Sequence, residues 1–354
     1  MNLLAKLDIA YPIFQAPMAG VATPKLAAAV SNAGGLGALG VASSTNEEAK
    51  AMILAAQART TRPINVNVFC HEPPLRQPQL EERWVQFLAP LFAAVGGSLP
   101  SRLNDYYPSF RTNNGLLQVL LQTRPQVVSF HFGLPTPTQL ALLKGAGIFT
   151  LATATNAEEA QRIEAAGLDG IVAQGYEAGG HRGMFNPQAA DEKLSTLALV
   201  KQLSSQSRLP LIAAGGIMNG AHIKAALEAG ASAVQMGTAF VACPESAAGP
   251  AYRRHLAQPQ ARTSLTATIS GRPARGLVNR YIEYTQRPEA PAIAPYPVAY
   301  DATKQLQRAA AKIGNTDFGA HWAGVNAAQA RPLPARQLVA LLVREWAAAQ
   351  QGSK

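Results

Sequence analysis

One histidine stands in a glycine-rich run, Gln174-Gly175-Tyr176-Glu177-Ala178-Gly179-Gly180-His181-Arg182-Gly183, directly after the apolar stretch Gly170-Ile171-Val172-Ala173. Glycine has no Cβ, so the backbone of such a run can approach a flat ligand closely and tolerate positive φ. A histidine among glycines has few packing neighbours and titrates near neutrality, which suits a general base. His131 follows the apolar run 127–130 and His71 follows 64–69, so each is a second candidate for the same chemistry or an ordinary packing residue. Two more glycine loops, Ala213-Ala214-Gly215-Gly216-Ile217 and Gln235-Met236-Gly237-Thr238, offer backbone N–H groups and a hydroxyl of the kind that hold phosphate. The small apolar run Gln15-Ala16-Pro17-Met18-Ala19-Gly20 would make a floor for a flat ring. Asn65, Asn67 and Gln174 supply amides for a heterocycle edge.

These residues all fall at the ends of short apolar runs, and there are eight such runs: 13–16, 36–41, 64–69, 127–132, 148–152, 170–174, 211–214 and 233–236. Nearly continuous hydrophobicity marks strands buried on both faces, as in parallel sheets. Ala-rich helical patterns lie between them, with start signals at Thr23-Pro24, Thr45-Asn46-Glu47-Glu48 and Asn156-Ala157-Glu158-Glu159. Eight β-α units predict an α/β protein of the (β/α)₈ TIM-barrel type rather than a doubly wound sheet. In such barrels the strand C-termini carry the active site, and the loops after the last two strands commonly hold phosphate. The match of Gly35-Leu36-Gly37-Ala38-Leu39-Gly40 to a dinucleotide fingerprint is discounted, because it precedes and crosses a strand instead of joining strand to helix. Two stretches fall outside the repeat. The reading assigns 1–71 and 117–243 to the barrel, and 72–116 and 244–354 to an insertion after the third strand and a C-terminal helical extension forming a substrate-side lid.

Bulk properties narrow the function classes. The chain has 354 residues, is 48% hydrophobic and carries a formal charge of +10. Its basic residues are scattered, with no run longer than Arg253-Arg254 and no interleaved aromatics, which argues against nucleic acid. A positive field around a pocket for small anions is the better use of the charge. No apolar run reaches the roughly 18 residues needed to span a bilayer. The first residues, Met1-Asn2-Leu3-Leu4-Ala5-Lys6, show no leader pattern and are expected to enter a strand almost at once. Cys70 and Cys243 make neither a disulfide framework nor a metal cluster, so no metal is expected. The expectation is a cytoplasmic protein, monomeric or homodimeric.

A phosphate-bearing ligand could be a sugar phosphate, a nucleotide or a flavin mononucleotide. Amides at several strand ends suit the donor–acceptor edge of an isoalloxazine better than a sugar. The chain resembles the class I nitronate monooxygenases, formerly called 2-nitropropane dioxygenases. The likeness is carried by Gln15 to Gly37, by Asn65-Val66-Asn67-Val68-Phe69-Cys70-His71, by Val128-Ser129-Phe130-His131-Phe132-Gly133, and by Gln174 to Gly183, with the loops at 215–217 and 235–238 and the stretch 296–304. The resemblance implies an FMN-dependent barrel enzyme that oxidises alkyl nitronates with O₂ to a carbonyl compound plus nitrite or nitrate, a detoxification. It places Ala16, Pro17 and Met18 under the flavin ring. Asn67, Gln174, Gly179, Gly180, Gly215, Gly216, Gln235, Met236, Gly237 and Thr238 would also contact the cofactor. By the same likeness His181 is the base that deprotonates neutral nitroalkanes, and His131 faces the same cavity.

Tyr300 and Lys304 would share a helix face at i and i+4. With Tyr296 and with Tyr107 from the insertion, they could bind a carboxylate tail such as that of propionate 3-nitronate. His222, His255 and His321 read as surface or packing residues. The main competitor is an FMN-dependent NAD(P)H:quinone or enoyl reductase on the same barrel. A phosphosugar isomerase or aldolase would want a strand-end lysine or carboxylate pair, which strands six to eight lack. A non-enzymatic binding protein is disfavoured by such specialised loops.

Overall fold

The computed structural model describes residues 2–105 and 107–351. Its central sheet has eight parallel strands: β1 (Ile13–Gln15), β2 (Gly37–Gly40), β3 (Ile64–Phe69), β4 (Val127–His131), β5 (Phe149–Ala154), β6 (Gly170–Gln174), β7 (Leu211–Ala214) and β8 (Ala233–Met236). Each strand pairs with its neighbour in sequence, β8 returns to pair with β1, and a bridge between Phe14 and Leu36 joins the remaining edges. The result is a nearly closed TIM-type barrel, as the run of eight apolar segments predicts. Register sets the level of the site: Asn67 lies beside Ser129, Phe69 beside His131, Gln174 beside Ala214, and Ala214 beside Gln235. Residues far apart in sequence thus reach the same rim.

Helices form where capping and patterning ask for them. Thr45 and Glu48 make a reciprocal capping box, and Thr23, with Pro24 at the first helical position, opens the helix Pro24–Asn32. One expectation fails at the start. The chain enters not a strand but the short helix Leu3–Leu7, capped by the Asn2 side chain on Leu4 N at 3.1 Å. Leu3 and Leu7, one turn apart, meet Phe14, Leu36, Val127, Phe149 and Ile212 and close the bottom of the barrel.

A second apolar core lies above the mouth. Trp84, Leu88 and Phe92 of the insertion pack against Tyr281, Val298, Leu306 and Phe318 of the extension. The buried Asp301 carboxylate ties the two together, accepting from Asn104 N at 2.8 Å and Asn104 Nδ2 at 3.1 Å. The final helix, Ala335–Gln351, instead lies outside the barrel against Gly220–Glu228 and Pro24–Asn32. A small antiparallel sheet joins Thr263–Thr266 and Ala274–Leu277 to Gly180–His181, with Ala274 opposite His181. The extension therefore holds the glycine-rich loop as an edge strand.

Candidate active site

The barrel mouth opens into a cavity of about 340 Å³, within the range of small-molecule and cofactor sites. Every residue assigned to cofactor or substrate from the sequence lines it, with the exception of Asn65. Ala16, Pro17 and Met18 come from the end of β1, Asn67 from β3, and His131 from β4. Gln174, Gly179, Gly180 and His181 come from β6 and its loop, Gly215 and Gly216 follow β7, and Gln235, Met236, Gly237 and Thr238 end β8. Tyr107, Tyr296, Tyr300 and Lys304 form the opposite wall. Asn65 does not reach the cavity, because it sits one pleat deeper on β3.

Three hydrogen-bonded groups hold the β6 loop. The buried Arg182 forms a bidentate pair with Asp191, both contacts at 2.8 Å, and gives Nη1 to Gln174 O at 2.9 Å and Gly175 O at 3.0 Å. Gln174 Oε1 accepts from Gly183 N at 2.8 Å while its Nε2 donates to His181 O at 2.9 Å. The Gln174 amide is thus largely spent on shaping the loop, leaving one Nε2 hydrogen for a ligand. Asn67 is the reverse case. Its Nδ2 donates to Ser129 O at 3.0 Å and Ser129 Oγ at 2.9 Å, so Oδ1 is the acceptor it presents to the cavity.

The glycines divide in the same way. A Cβ on Gly179 would lie 2.5 Å from Ala323 C and Gly324 N, so this glycine is required by another piece of chain. Gly180 has φ +76° and nothing within 4 Å of a built Cβ, so the space beside it is open. The segment around Gly324 and Asn326 was not anticipated from the sequence. Gly324 N donates to Thr238 Oγ1 at 3.0 Å, and Asn326 Nδ2 donates to Gly216 O at 2.7 Å. It clamps both glycine loops, and no local pattern announces it.

Over the cavity, His181 stands in an aromatic cage. Its ring centroid lies 5.1 Å from Trp322, 5.6 Å from Phe132, 5.7 Å from Tyr296 and 6.3 Å from Tyr300. Burial, reinforced by His131, Arg272 and His71, pulls its pKa down to about 3. His131 donates from Nε2 to His181 O at 3.2 Å, so its Nδ1 accepts from Thr153 Oγ1 at 3.0 Å. Burial brings its pKa down to about 4. His71 lies behind the wall against Tyr296 (5.0 Å) and Phe132 (6.3 Å), and burial lowers it to about 4 as well. All three imidazoles are neutral at physiological pH.

The opposite wall is an aromatic stack. Tyr107 lies 5.5 Å from Tyr300 at 22° and 6.3 Å from Tyr296 at 9°. Lys304 Nζ sits 4.8 Å from the Tyr107 ring and 5.0 Å from the Tyr300 ring. The Tyr296 hydroxyl is buried with no hydrogen-bond partner among the described residues, and burial raises its pKa, so it remains a donor. Trp322, Ser129, Tyr252 and Asn326 also line the site, and sequence reasoning did not find them. Phe132, whose φ of +70° is strained for a bulky residue, packs between His131 and His181. His222, His255 and His321 do not line the cavity: His222 Nδ1 accepts from Met218 N at 3.2 Å, and His321 stacks on Tyr252 at 4.5 Å.

Comparison with known proteins agrees with this geometry. The nitronate monooxygenase family model matches residues 1–345. The chain is 54% identical to a nitronate monooxygenase of Pseudomonas aeruginosa over 340 residues, which is 96% of this chain and 97% of that protein. It is 53% identical to the nitronate monooxygenase of Paraburkholderia phytofirmans over 344 residues, 97% of this chain and 94% of that one. Among solved structures, nitroalkane oxidase from Streptomyces ansochromogenes superposes with a TM-score of 0.90 at 42% identity, covering 99% of each chain. FabK from Thermotoga maritima superposes with a TM-score of 0.75 at 27% identity, covering 99% of this chain and 97% of that one. A barrel whose strand ends gather the glycine loops, the caged histidine and the tyrosine–lysine wall thus coincides with a match over nearly the whole chain: the protein belongs to the nitronate monooxygenase family and is an oxidoreductase.

Proposed function

We propose that this enzyme binds FMN and uses O₂ to oxidise alkyl nitronates, propionate 3-nitronate among them, to a carbonyl compound plus nitrite or nitrate. The observation that carries the reading is the pairing of two walls across one cavity. One is a small, flat floor with glycine loops, and the other is a cationic, hydroxyl-bearing aromatic face.

The donor set suits FMN. A Cβ built on Gly237 would come no nearer than 3.4 Å to Ala16, and Gly180 faces open space, so the loops leave room for a ligand. Gly215, Gly216, Gly237 and Thr238 would hold the phosphate, and Ala16, Pro17 and Met18 would lie under the ring. Asn67 Oδ1 would accept from the ring edge, with Gln174, Gly179, Gly180, Gln235 and Met236 completing the contacts. When bound, FMN supplies the electron transfer that oxidises the substrate and hands electrons to O₂.

The protein's own groups do the rest. A nitronate arrives as a delocalised anion, and Lys304 with the Tyr296 hydroxyl supplies positive charge and a donor for it. Tyr107 and Tyr300 hold the Lys304 ammonium over the cavity, where it can meet a carboxylate tail. His131 fixes the His181 backbone, and His181 would take the α-proton only from a substrate that still has one. With its conjugate acid held near pKa 3, His181 is a weak base, so nitronates are favoured over neutral nitroalkanes. The insertion, 72–116, and the part of the extension before the final helix, roughly 244–334, would act as the substrate-side lid, whereas Ala335–Gln351 packs on the barrel's outer helices. The setting would be the cytoplasm and the task nitronate detoxification, by a monomer or homodimer.

The test is anaerobic mixing of the flavin-loaded enzyme with propionate 3-nitronate. Bleaching of the flavin band supports the reading. Bleaching by NADH and not by nitronate would favour the reductase alternative.

A further inference from the structure

We propose that the Ser270-Gly271-Arg272 loop is a positioning element for His181, in which Ser270 fixes the imidazole through Nε2 and the Arg272 guanidinium adds to burial in disfavouring a charged ring. The inference concerns the state of His181 whatever substrate the cavity takes, and none of these three residues lines the cavity.

The loop is built for close approach. Gly271 has φ +91°, and a Cβ there would lie 2.4 Å from Tyr296 N, so only glycine lets the turn pass beneath this wall residue. Ser270 is fully buried, and its Oγ has three neighbours: His181 Nε2 at 2.8 Å, Arg272 O at 3.2 Å and Arg272 N at 3.3 Å. A hydroxyl has one hydrogen to give. The Arg272 carbonyl can only accept and the Arg272 amide can only donate. When the hydroxyl hydrogen goes to Arg272 O, His181 must donate its own Nε2–H to Ser270, and Nδ1 becomes the basic nitrogen.

Arg272 supplies the charge condition. It is 3% exposed, and its guanidinium lies 4.2 Å from the Phe132 centroid and 5.6 Å from that of Tyr296. Nη2 donates to Met184 O at 3.1 Å and Phe185 O at 3.3 Å, while Nη1 is buried with no partner among the described residues. The nearby Glu159 carboxylate is engaged by Thr155 and by Phe185 N. Those neutral donors leave the Glu159 charge in place, so it offsets Arg272 in part, but a buried cation one ring away still opposes protonation of any imidazole beside it. Of the other groups around His181, His71 and His131 are neutral, Tyr296 and Tyr300 keep their protons, and Arg182 is offset by Asp191. The direction of the His181 shift is consistent with this, with burial its largest cause, His131 next, and Arg272 after them.

The test is nitrogen NMR of imidazole-labelled holoenzyme, with the His181 signals identified by their loss in His181→Asn. In the wild type, His181 should carry its proton on Nε2 and stay neutral down to about pH 5, well below the ordinary histidine range. Arg272→Met should move its titration upward by about half a unit or more, and Arg272→Lys should restore it. Ser270→Ala should leave a mixture of tautomers. An unmoved titration in Arg272→Met overturns the electrostatic part, and a wild-type His181 protonated on Nδ1 overturns the role of Ser270. The tautomer measurement needs no variant of the loop, so it stands even where a variant fails to fold. Loss of nitronate turnover alone, with these spectra as expected, would count against the proposed function and leave this assignment in place.

Discussion

The two walls of the cavity are made in opposite ways. The floor and glycine loops belong to the barrel, whose strands pair in sequence order and carry their site residues to one rim by register. The tyrosine–lysine wall belongs to the insertion and the C-terminal extension, which share a separate apolar core and meet the barrel at the β6 loop. Repetition places one wall and long-range packing places the other. The histidines lie at the seam, His71 buried and His131 and His181 half-buried between the two walls. The barrel wall should therefore survive changes that loosen the second core, whereas the histidine environment should not.

The largest effect expected is acid lability at this seam. His71, His131 and His181 are held at about 4, 4 and 3, mainly by burial. Groups with lowered native pKa bind more protons when unfolded, so their contribution is fully present above about pH 6.5 and is lost as pH falls toward the native values. Each contributes a slope of up to about 1.4 kcal/mol per pH unit, so the unfolding free energy should fall steeply between pH 6 and 5. A flat denaturation profile over that interval would show that the seam is more open than described. Gly179→Val comes next. Its Cβ would collide with the Ala323–Gly324 backbone, and a loss of about 3 kcal/mol in stability is expected, with reduced flavin content. An unchanged thermal midpoint would show that the two walls are not pressed together there.

Asp301→Ala tests the second core alone. It removes the acceptor of Asn104 N and Nδ2, so about 2 kcal/mol should be lost in denaturant melts. KM for nitronate should rise while bound flavin stays near full occupancy. Equal loss of flavin would merge the two walls into one unit. Lys304→Met should raise KM roughly tenfold for a carboxylated nitronate and little for an alkyl one, from loss of one charge-assisted contact. The same rise for both substrates would remove the anchoring role. The smallest effect is His181→Asn on nitronate turnover, which should change little while any neutral nitroalkane turnover is lost. Equal loss on both would end its assignment as a substrate base.

How far the sequence could be read follows the same division. The strand set emerges because apolar runs bounded by glycine and helix caps are local signals, and β3, β6, β7 and β8 begin and end where the pattern puts them. The helix Leu3–Leu7 escapes because it has barely more than one turn in which to show a period. Site residues at strand ends are legible because a barrel rim is a fixed place. Ser270, Arg272, Trp322 and Asn326 are not, because their role arises only when the extension folds back across the mouth. Gly179 shows the limit from the other side. Its glycine is conspicuous in the sequence, but its close approach is to Gly324, and composition could not separate that from approach to a ligand.

The central claim is that the two walls hold FMN and a nitronate face to face. Its most direct test is anaerobic stopped-flow mixing of flavin-loaded enzyme with propionate 3-nitronate. The account predicts rapid bleaching of the visible flavin band, recovery of colour on admitting O₂, and no bleaching with NADH. A flavin that stays oxidised with nitronate, or bleaches with NADH instead, would contradict it.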